Sequence, residues 1–219
     1  MVSIDNFICL ASTSDPMVDQ SPIRVKRQSL INLEERNTTA RDNNAMLFLN
    51  RDEISISRQD IFSINAKDNI DQFIVSVLYW GFPTNMHGIC RKVFESYSVI
   101  RDLTLKILNQ PNVTLEYYQE DIYPIIARCY GVKMAFFSKL FYFCRMSING
   151  IPCLILDSFV YKGLGCVDDA QIKQIQVEAD GYNYKFMPYY SYIQGINALS
   201  ERAQVRGEQI EYILFTISR

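Results

Sequence analysis

"DIYPIIARCYGVKMAFFSKLFYFCRMSINGIPCLILDSFVYKGL" occupies residues 121–164, and the way this stretch folds decides the rest. Pro124 near its start and Gly131 bracket a short helix, because proline is pre-set for the first helical turn and glycine for the turn that ends one. Residues 132–146 then follow as a second helix. At 100° per residue Lys139 shares a face with Ala135, Phe136, Tyr142, Phe143 and Met146, while Phe137, Phe141 and Cys144 lie opposite. Such a helix is apolar nearly all round, so an ammonium in its middle is costly unless something uses it. Either Lys139 runs its head out to an edge, or it is held in a dry pocket where desolvation favours the neutral, nucleophilic amine. Asp157 closes the apolar run "CLIL" and precedes "SFVYKGLG", a position suited to capping a short helix that ends at Gly163 or Gly165.

Outward from this block the pattern is helical in both directions. "DNIDQFIVSVLYWG" places Ile70, Phe73, Ile74, Val77 and Leu78 on one face, with Asp68 or Asn69 as cap and Gly81-Phe82-Pro83 as stop. Residues 87–109 read as one helix or two along Ile89, Val93, Tyr97 and Ile100, ended by "NQPNVT". The tail gives a helix around residues 188–204 and, past Gly207, another on Ile210, Ile213, Leu214 and Ile217. "CVDDAQIKQIQVEADGYNYKFM" reads as extended or irregular. Residues 11–45, rich in Ser, Asp, Asn, Arg and Thr without sustained periodicity, read as long loops or partial disorder. "AMLFLNRDEISISRQDIFSI" supplies a short strand or a helical arm. The expectation is a mainly α protein, with an irregular arm over residues 1–60 and a helical domain over residues 61–219.

Composition narrows the functions available. The 219 residues are 48% hydrophobic, enough for a substantial core. No apolar run approaches the roughly 20 residues that span a bilayer, and "MVSIDNFICLASTSDP" lacks a basic, long-hydrophobic leader, so the reading is cytoplasmic with no membrane partner. Six cysteines (Cys9, Cys90, Cys129, Cys144, Cys153 and Cys166) show no C-x-x-C and the only histidine is His87, so no zinc spacing exists and reduced thiols are expected. His87, in "TNMHGIC", reads as a loop or helix-start residue rather than a catalytic base. A net charge of −2 excludes a uniformly basic coat but permits a local basic face.

Residues 121–164 resemble the helix-hairpin-helix DNA glycosylase superfamily, in particular its 8-oxoguanine-DNA-glycosylase-like bacterial branch. In that superfamily a Gly-containing hairpin leads into a helix carrying a catalytic lysine, and after a connector an aspartate opens the next helix. Gly131, Lys139 and, eighteen positions later, Asp157 stand in that order here. "LYWGFPTN" after the Asp68 helix is similar to the same branch. The hairpin departs from the family pattern in having one glycine, with bulky Met134 and Phe136 on the approach to the lysine.

The resemblance implies a helix-hairpin-helix glycosylase-like domain and a DNA glycosylase that removes an oxidised or otherwise modified base, serving DNA repair or defence against phage DNA. Lys139 is then the nucleophile, with AP-lyase activity through a Schiff base, and Asp157 the stabiliser of positive charge at C1′. No metal and no cofactor are implied; the partner is DNA carrying a modified base. Phosphate contacts are expected from Gly131, Lys133, Arg128, Arg145 and Lys162, with Arg91 and Lys92 on an earlier helix start. Phe186, Tyr189 and Tyr190, together with Tyr182, Tyr184 and Tyr192, are candidates for stacking on an extruded base. Two other readings remain open: a same-fold nucleoside or nucleotide N-glycosidase, and a non-catalytic nucleic-acid-binding module in which Lys139 snorkels and Asp157 only caps.

Overall fold

A computed structural model describes residues 1–82, 88–183 and 185–219, with Phe186 given by its backbone alone. The chain opens with β1 (Val2–Ser3), α1 (Ile4–Thr13), α2 (Pro16–Asp19), β2 (Ile23–Lys26), a 3-10 turn, α3 (Ile31–Arg36), α4 (Thr38–Phe48), β3 (Glu53–Ile56) and α5 (Arg58–Ser63). Its middle comprises α6 (Ile70–Gly81), α7 (Ile89–Glu95), α8 (Tyr97–Asn109), β4 (Asn112–Val113), α9 (Leu115–Tyr117), a π turn and α10 (Tyr123–Arg128). Then come α11 (Met134–Phe143), β5 (Ser147–Ile148), β6 (Ile151–Pro152), α12 (Ser158–Leu164), β7 (Val167–Asp168), α13 (Ala170–Glu178), α14 (Phe186–Ala203) and α15 (Gly207–Ile217). The architecture is mainly α. Among the described residues no helix is long and apolar enough to cross a membrane.

The lysine-bearing helix α11 is the axis of the core. Phe136, Phe137, Leu140 and Phe141 are fully buried, and every residue from Phe136 to Phe143 is inside. A helix with no polar face must be surrounded, and it is: Trp80 of α6 meets Phe143 at 5.1 Å between ring centroids, Tyr118 meets Phe141 at 6.0 Å, and Tyr189 of α14 meets the same ring at 6.1 Å. Edge-on and tilted ring pairs of this kind add to simple area burial.

Beyond α11 the chain reverses in a two-stranded hairpin, β5 pairing antiparallel with β6 and parallel with β4. Its tip is Asn149-Gly150, with φ of 51° and 78°. Positive φ at both central residues suits the tight turn that matches strand twist, and Asn-Gly tolerates it best. The connector then runs back along α11, where the Ser138 hydroxyl donates to the Leu156 carbonyl at 3.3 Å and accepts from the Leu156 amide at 3.1 Å. This clasp fixes the residue immediately before Asp157.

The first 60 residues differ from the loops and partial disorder expected of them. They form helices whose sparse apolar residues, Phe7, Ala11, Leu30, Ala40 and Phe48, are all fully buried in the same core as the rest. Polar composition hid this because its polar groups also have partners. The Asn44 side chain accepts from the Tyr79 hydroxyl at 2.5 Å and donates to Glu34 at 2.9 Å, so a buried asparagine carries no unmet hydrogen bond there. The stretch from Ala45 to Ile64 contains both alternatives left open for it: the end of α4, strand β3 and helix α5.

The described part of residues 166–187 also departs from the extended or irregular reading. Asp169 caps α13 by accepting from the Ile172 amide at 3.0 Å, and Ile172, Ile175 and Ala179 form a buried stripe. That stripe spans only two turns, too short to stand out as periodicity. Residues 88–109 resolve into two helices, and the six cysteines are free. His87 and Tyr184 lie outside the described residues, as does the side chain of Phe186.

Helix α12 packs on α15 so closely that a Cβ built on Gly163 would lie 2.1 Å from the Leu214 carbonyl oxygen. Neither backbone can yield without moving a helix. Gly163→Ala should therefore lower stability by about 2–3 kcal/mol, read as a fall in the urea midpoint at unchanged m-value.

Candidate active site

Lys139 sits on α11 four positions after Ala135, whose carbonyl accepts from its Nζ at 3.2 Å. Its second partner is the Asp157 Oδ2, at 2.8 Å. The side chains are 3% and 14% exposed. Asp157 divides its oxygens: Oδ1 accepts from the Phe159 and Val160 amides at 3.0 and 3.1 Å, capping α12, while Oδ2 holds the lysine. One carboxylate thus both caps a helix and meets the lysine. Burial pushes the Asp157 carboxyl up, but the Lys139 charge and three hydrogen bonds more than offset it and hold it below its ordinary 3.8. It is a carboxylate at neutral pH.

Of the two placements the sequence left open, the lysine takes the buried one and does not run out to an edge; its neighbour is a carboxylate. Phe82 closes one side, its ring centroid 5.0 Å from Nζ. Gly81 makes room for the stem. A Cβ there would stand 2.6 Å from the lysine Cδ, which gives the "WGF" at the end of α6 a steric purpose.

Both residues line a cavity of about 1080 Å³. Gly131 and Lys133 of the α10–α11 hairpin line it too, as do Arg91, Lys92 and Arg219. Gly131 has a φ of +77°, and a Cβ there would sit 3.1 Å from the Lys92 side chain. The remaining basic candidates stand elsewhere. Arg128 ends α10 on the exposed surface, Arg145 lies over the Phe62 ring beside a different cavity, and Lys162 extends over Phe159.

The aromatic candidates divide as well. Tyr189 is fully buried and donates to the Leu154 carbonyl at 3.0 Å, Tyr192 does the same to Ile155 at 2.9 Å, and the Tyr190 hydroxyl accepts from Asn149 at 3.3 Å. None of the three lines the cavity. They fasten α14 to the β6–α12 connector and, through Tyr190, to the β5–β6 turn instead, because a tyrosine on an inward face needs one hydrogen bond, which a backbone carbonyl supplies to Tyr189 and Tyr192. Among the described residues Tyr182 is the one candidate from that group on the cavity wall, joined by Phe82, Phe136, Phe159, Tyr212 and Phe215.

Sequence reading passed over a second buried ion pair on the same wall. Arg58 and Glu211, 2% and 1% exposed, meet at 3.0 Å. Burial works against the Arg58 charge, but Glu211 and Tyr142 more than offset it and raise its pKa. The Glu211 carboxyl is pushed up by burial, against the pull of Arg58. Arg58 lies in the arm that showed no pattern, and Glu211 adjoins the apolar stripe of α15 without breaking it, so neither announced itself.

The family model described as "Putative 8-oxoguanine DNA glycosylase OGG-like protein" matches residues 16–215. No curated protein and no solved structure matches.

A carboxyl whose folded pKa is depressed contributes stability above its unfolded pKa and loses it as pH falls through the folded value. Asp157→Asn keeps the cap to α12 but removes that titration. The wild type should lose more stability than Asp157→Asn between about pH 5 and pH 2, as measured by urea unfolding across that range.

Proposed function

Since the chain belongs to the OGG-like family of 8-oxoguanine DNA glycosylases, we propose that it removes an oxidised or otherwise modified base from DNA by cleaving the N-glycosidic bond, with Lys139 as nucleophile. The observation that carries this reading is the Lys139–Asp157 contact of 2.8 Å on the wall of a cavity with basic residues at its edge. A base extruded from the duplex would enter that cavity and stack on its aromatic lining, for which Phe136, Phe159, Tyr182 and Phe215 stand in reach. The phosphates would meet Gly131, Lys133, Arg91 and Lys92, contacts that orient the duplex without reading its sequence.

The chemistry follows from the pair. Lys139 gives a proton to Asp157, and its freed lone pair forms the Nζ–C1′ bond as the C1′–N bond breaks. The bonding electrons leave with the base, which takes up the proton from Asp157. Asp157 is then a carboxylate again, facing the positive charge that develops on the sugar. The C1′–O4′ bond then breaks as a proton passes from Nζ to O4′, giving a protonated imine between Lys139 and C1′, and loss of a C2′ proton from it expels the 3′ phosphate, which is the lyase step.

Duplex oligonucleotides, each carrying one modified base, would be incubated with the protein and the freed base identified by mass spectrometry. At least one should respond, and borohydride should trap a covalent adduct that Lys139→Gln does not form. Absence of any freed base together with absence of adduct on an abasic duplex would leave only a binding module. Release from free nucleosides but from no duplex would point to a nucleoside N-glycosidase.

Lys133→Ala should weaken duplex binding and lower the slope of log K against log salt by about one unit, as one lost phosphate contact does. Fluorescence anisotropy titrations at several salt concentrations check this. An unchanged slope would remove Lys133 from the footprint.

A further inference from the structure

Buried polar atoms are nearly always satisfied within a folded protein, so those that are not call for a reason. Among the described residues, Trp80 Nε1, Asn183 Oδ1 and Glu211 Oε2 are buried with no hydrogen-bond partner. All three residues line the cavity that holds Lys139 and Asp157. Glu211 also lies within electrostatic reach of both catalytic candidates. The unmet hydrogen bonds are gathered where a ligand would sit.

One residue organises this wall. The Arg58 guanidinium lies 5.2 Å from the Trp80 ring centroid and 5.1 Å from that of Tyr142. Its Nη1 donates to the Tyr142 hydroxyl at 3.1 Å, its Nη2 to Glu211 Oε1 at 3.0 Å, and its Nε to Gln20 Oε1 at 2.5 Å. A guanidinium only donates, so whatever it touches must turn an acceptor toward it. The Gln20 amide is thereby fixed with its oxygen on Arg58 and its NH₂ left for the cavity that Gln20 lines. The Glu211 carboxylate spends one oxygen on Arg58 and keeps the other, which can only accept. Trp80 Nε1 can only donate.

Resting on the glycosylase reading, we propose that Arg58 is a positioning residue that fixes the hydrogen-bond polarity of the base pocket. The wall offers two acceptors, Glu211 Oε2 and Asn183 Oδ1, and two donors, Trp80 Nε1 and Gln20 Nε2. It suits a base presenting an N–H donor with carbonyl acceptors beside it, and disfavours one presenting acceptors alone. The major-groove edge of guanine carries two acceptors, N7 and O6. Oxidation at C8 puts a proton on N7 and a second carbonyl at C8, which produces the donor between acceptors. An unoxidised guanine would leave Glu211 Oε2 facing a lone pair, and a buried mismatch of that kind is what lets a polar site reject a near-identical substrate.

The deciding variant is Gln20→Glu with Glu211→Gln together. It keeps the shape, the net charge and one carboxylate for Arg58, but exchanges donor and acceptor on the wall. The probes are a duplex with a single 8-oxoguanine opposite cytosine and the same duplex with an abasic site, which has no base to read. The exchange should cut base release at least about a hundredfold while the borohydride-trapped adduct on the abasic duplex stays within about twofold and the thermal midpoint is retained. Glu211→Gln alone, which still gives Arg58 an acceptor but turns the free Glu211 acceptor on the wall into a donor, should lose release by a comparable factor with the same abasic adduct. Release by either variant within about threefold of wild type would overturn the proposal, as would an equal fall in release and abasic adduct, which would assign the pair to chemistry or folding. A wild type that forms the abasic adduct yet leaves 8-oxoguanine in place would overturn the polarity assignment and spare the glycosylase reading; one that does neither would remove both.

Discussion

A helix that is apolar on every face can only exist where other elements surround it, and the placement of α11 at the centre governs everything else here. Rings from α6, α14 and the segment before α10 close on Phe141 and Phe143. The consequence for Lys139 is that its ammonium must find a partner inside the protein. The Ser138–Leu156 clasp provides one by fixing the connector one residue short of Asp157. The same clasp that closes the core therefore sets the Lys139–Asp157 geometry, and the carboxylate that meets the lysine starts the next helix with its other oxygen.

Two ion pairs are buried on one cavity wall, an arrangement that hydrophobic residues of similar volume could replace without loss of stability. Charges are kept in such places when they are used, and the two pairs are built for different uses. Lys139 and Asp157 meet at 2.8 Å and both line the cavity. Arg58 holds its proton and is locked by three neighbours on three separate elements, so it serves geometry. Its position at the first residue of α5 shows that the N-terminal arm is part of the site, with Gln20 and Arg58 lining the same space as Lys139.

Close approach is handled by leaving side chains out. Gly81 allows the Lys139 stem to pass the end of α6, and Gly163 allows α12 to press against the α15 backbone that presents Glu211. These two contacts bring the lysine, the aspartate and the glutamate to one wall from three helices.

The sequence by itself determined the elements whose signals are local. The stripes of α6 and α15, the bracketing of α10 by Pro124 and Gly131, and the cap at Asp157 depend on neighbours within a few residues, so spacing was enough to read them and, with the resemblance, to single out Lys139 and Asp157. The Asn149-Gly150 turn and the Asp169 cap were equally local signals that a search for long periodicity passed over. Tertiary structure alone decided the rest. Polar composition could not show that Phe7, Leu30 and Phe48 would be buried, because the burial of a sparse apolar set depends on the surface it meets. Tyr189 and Tyr190 were indistinguishable in sequence from Tyr182, yet two fasten a connector and one faces the cavity. Arg58 and Glu211 stand 153 positions apart, and no pattern along the chain links them. A buried charge chooses its partner by distance in space, and only the packed core brings that distance to 3.0 Å.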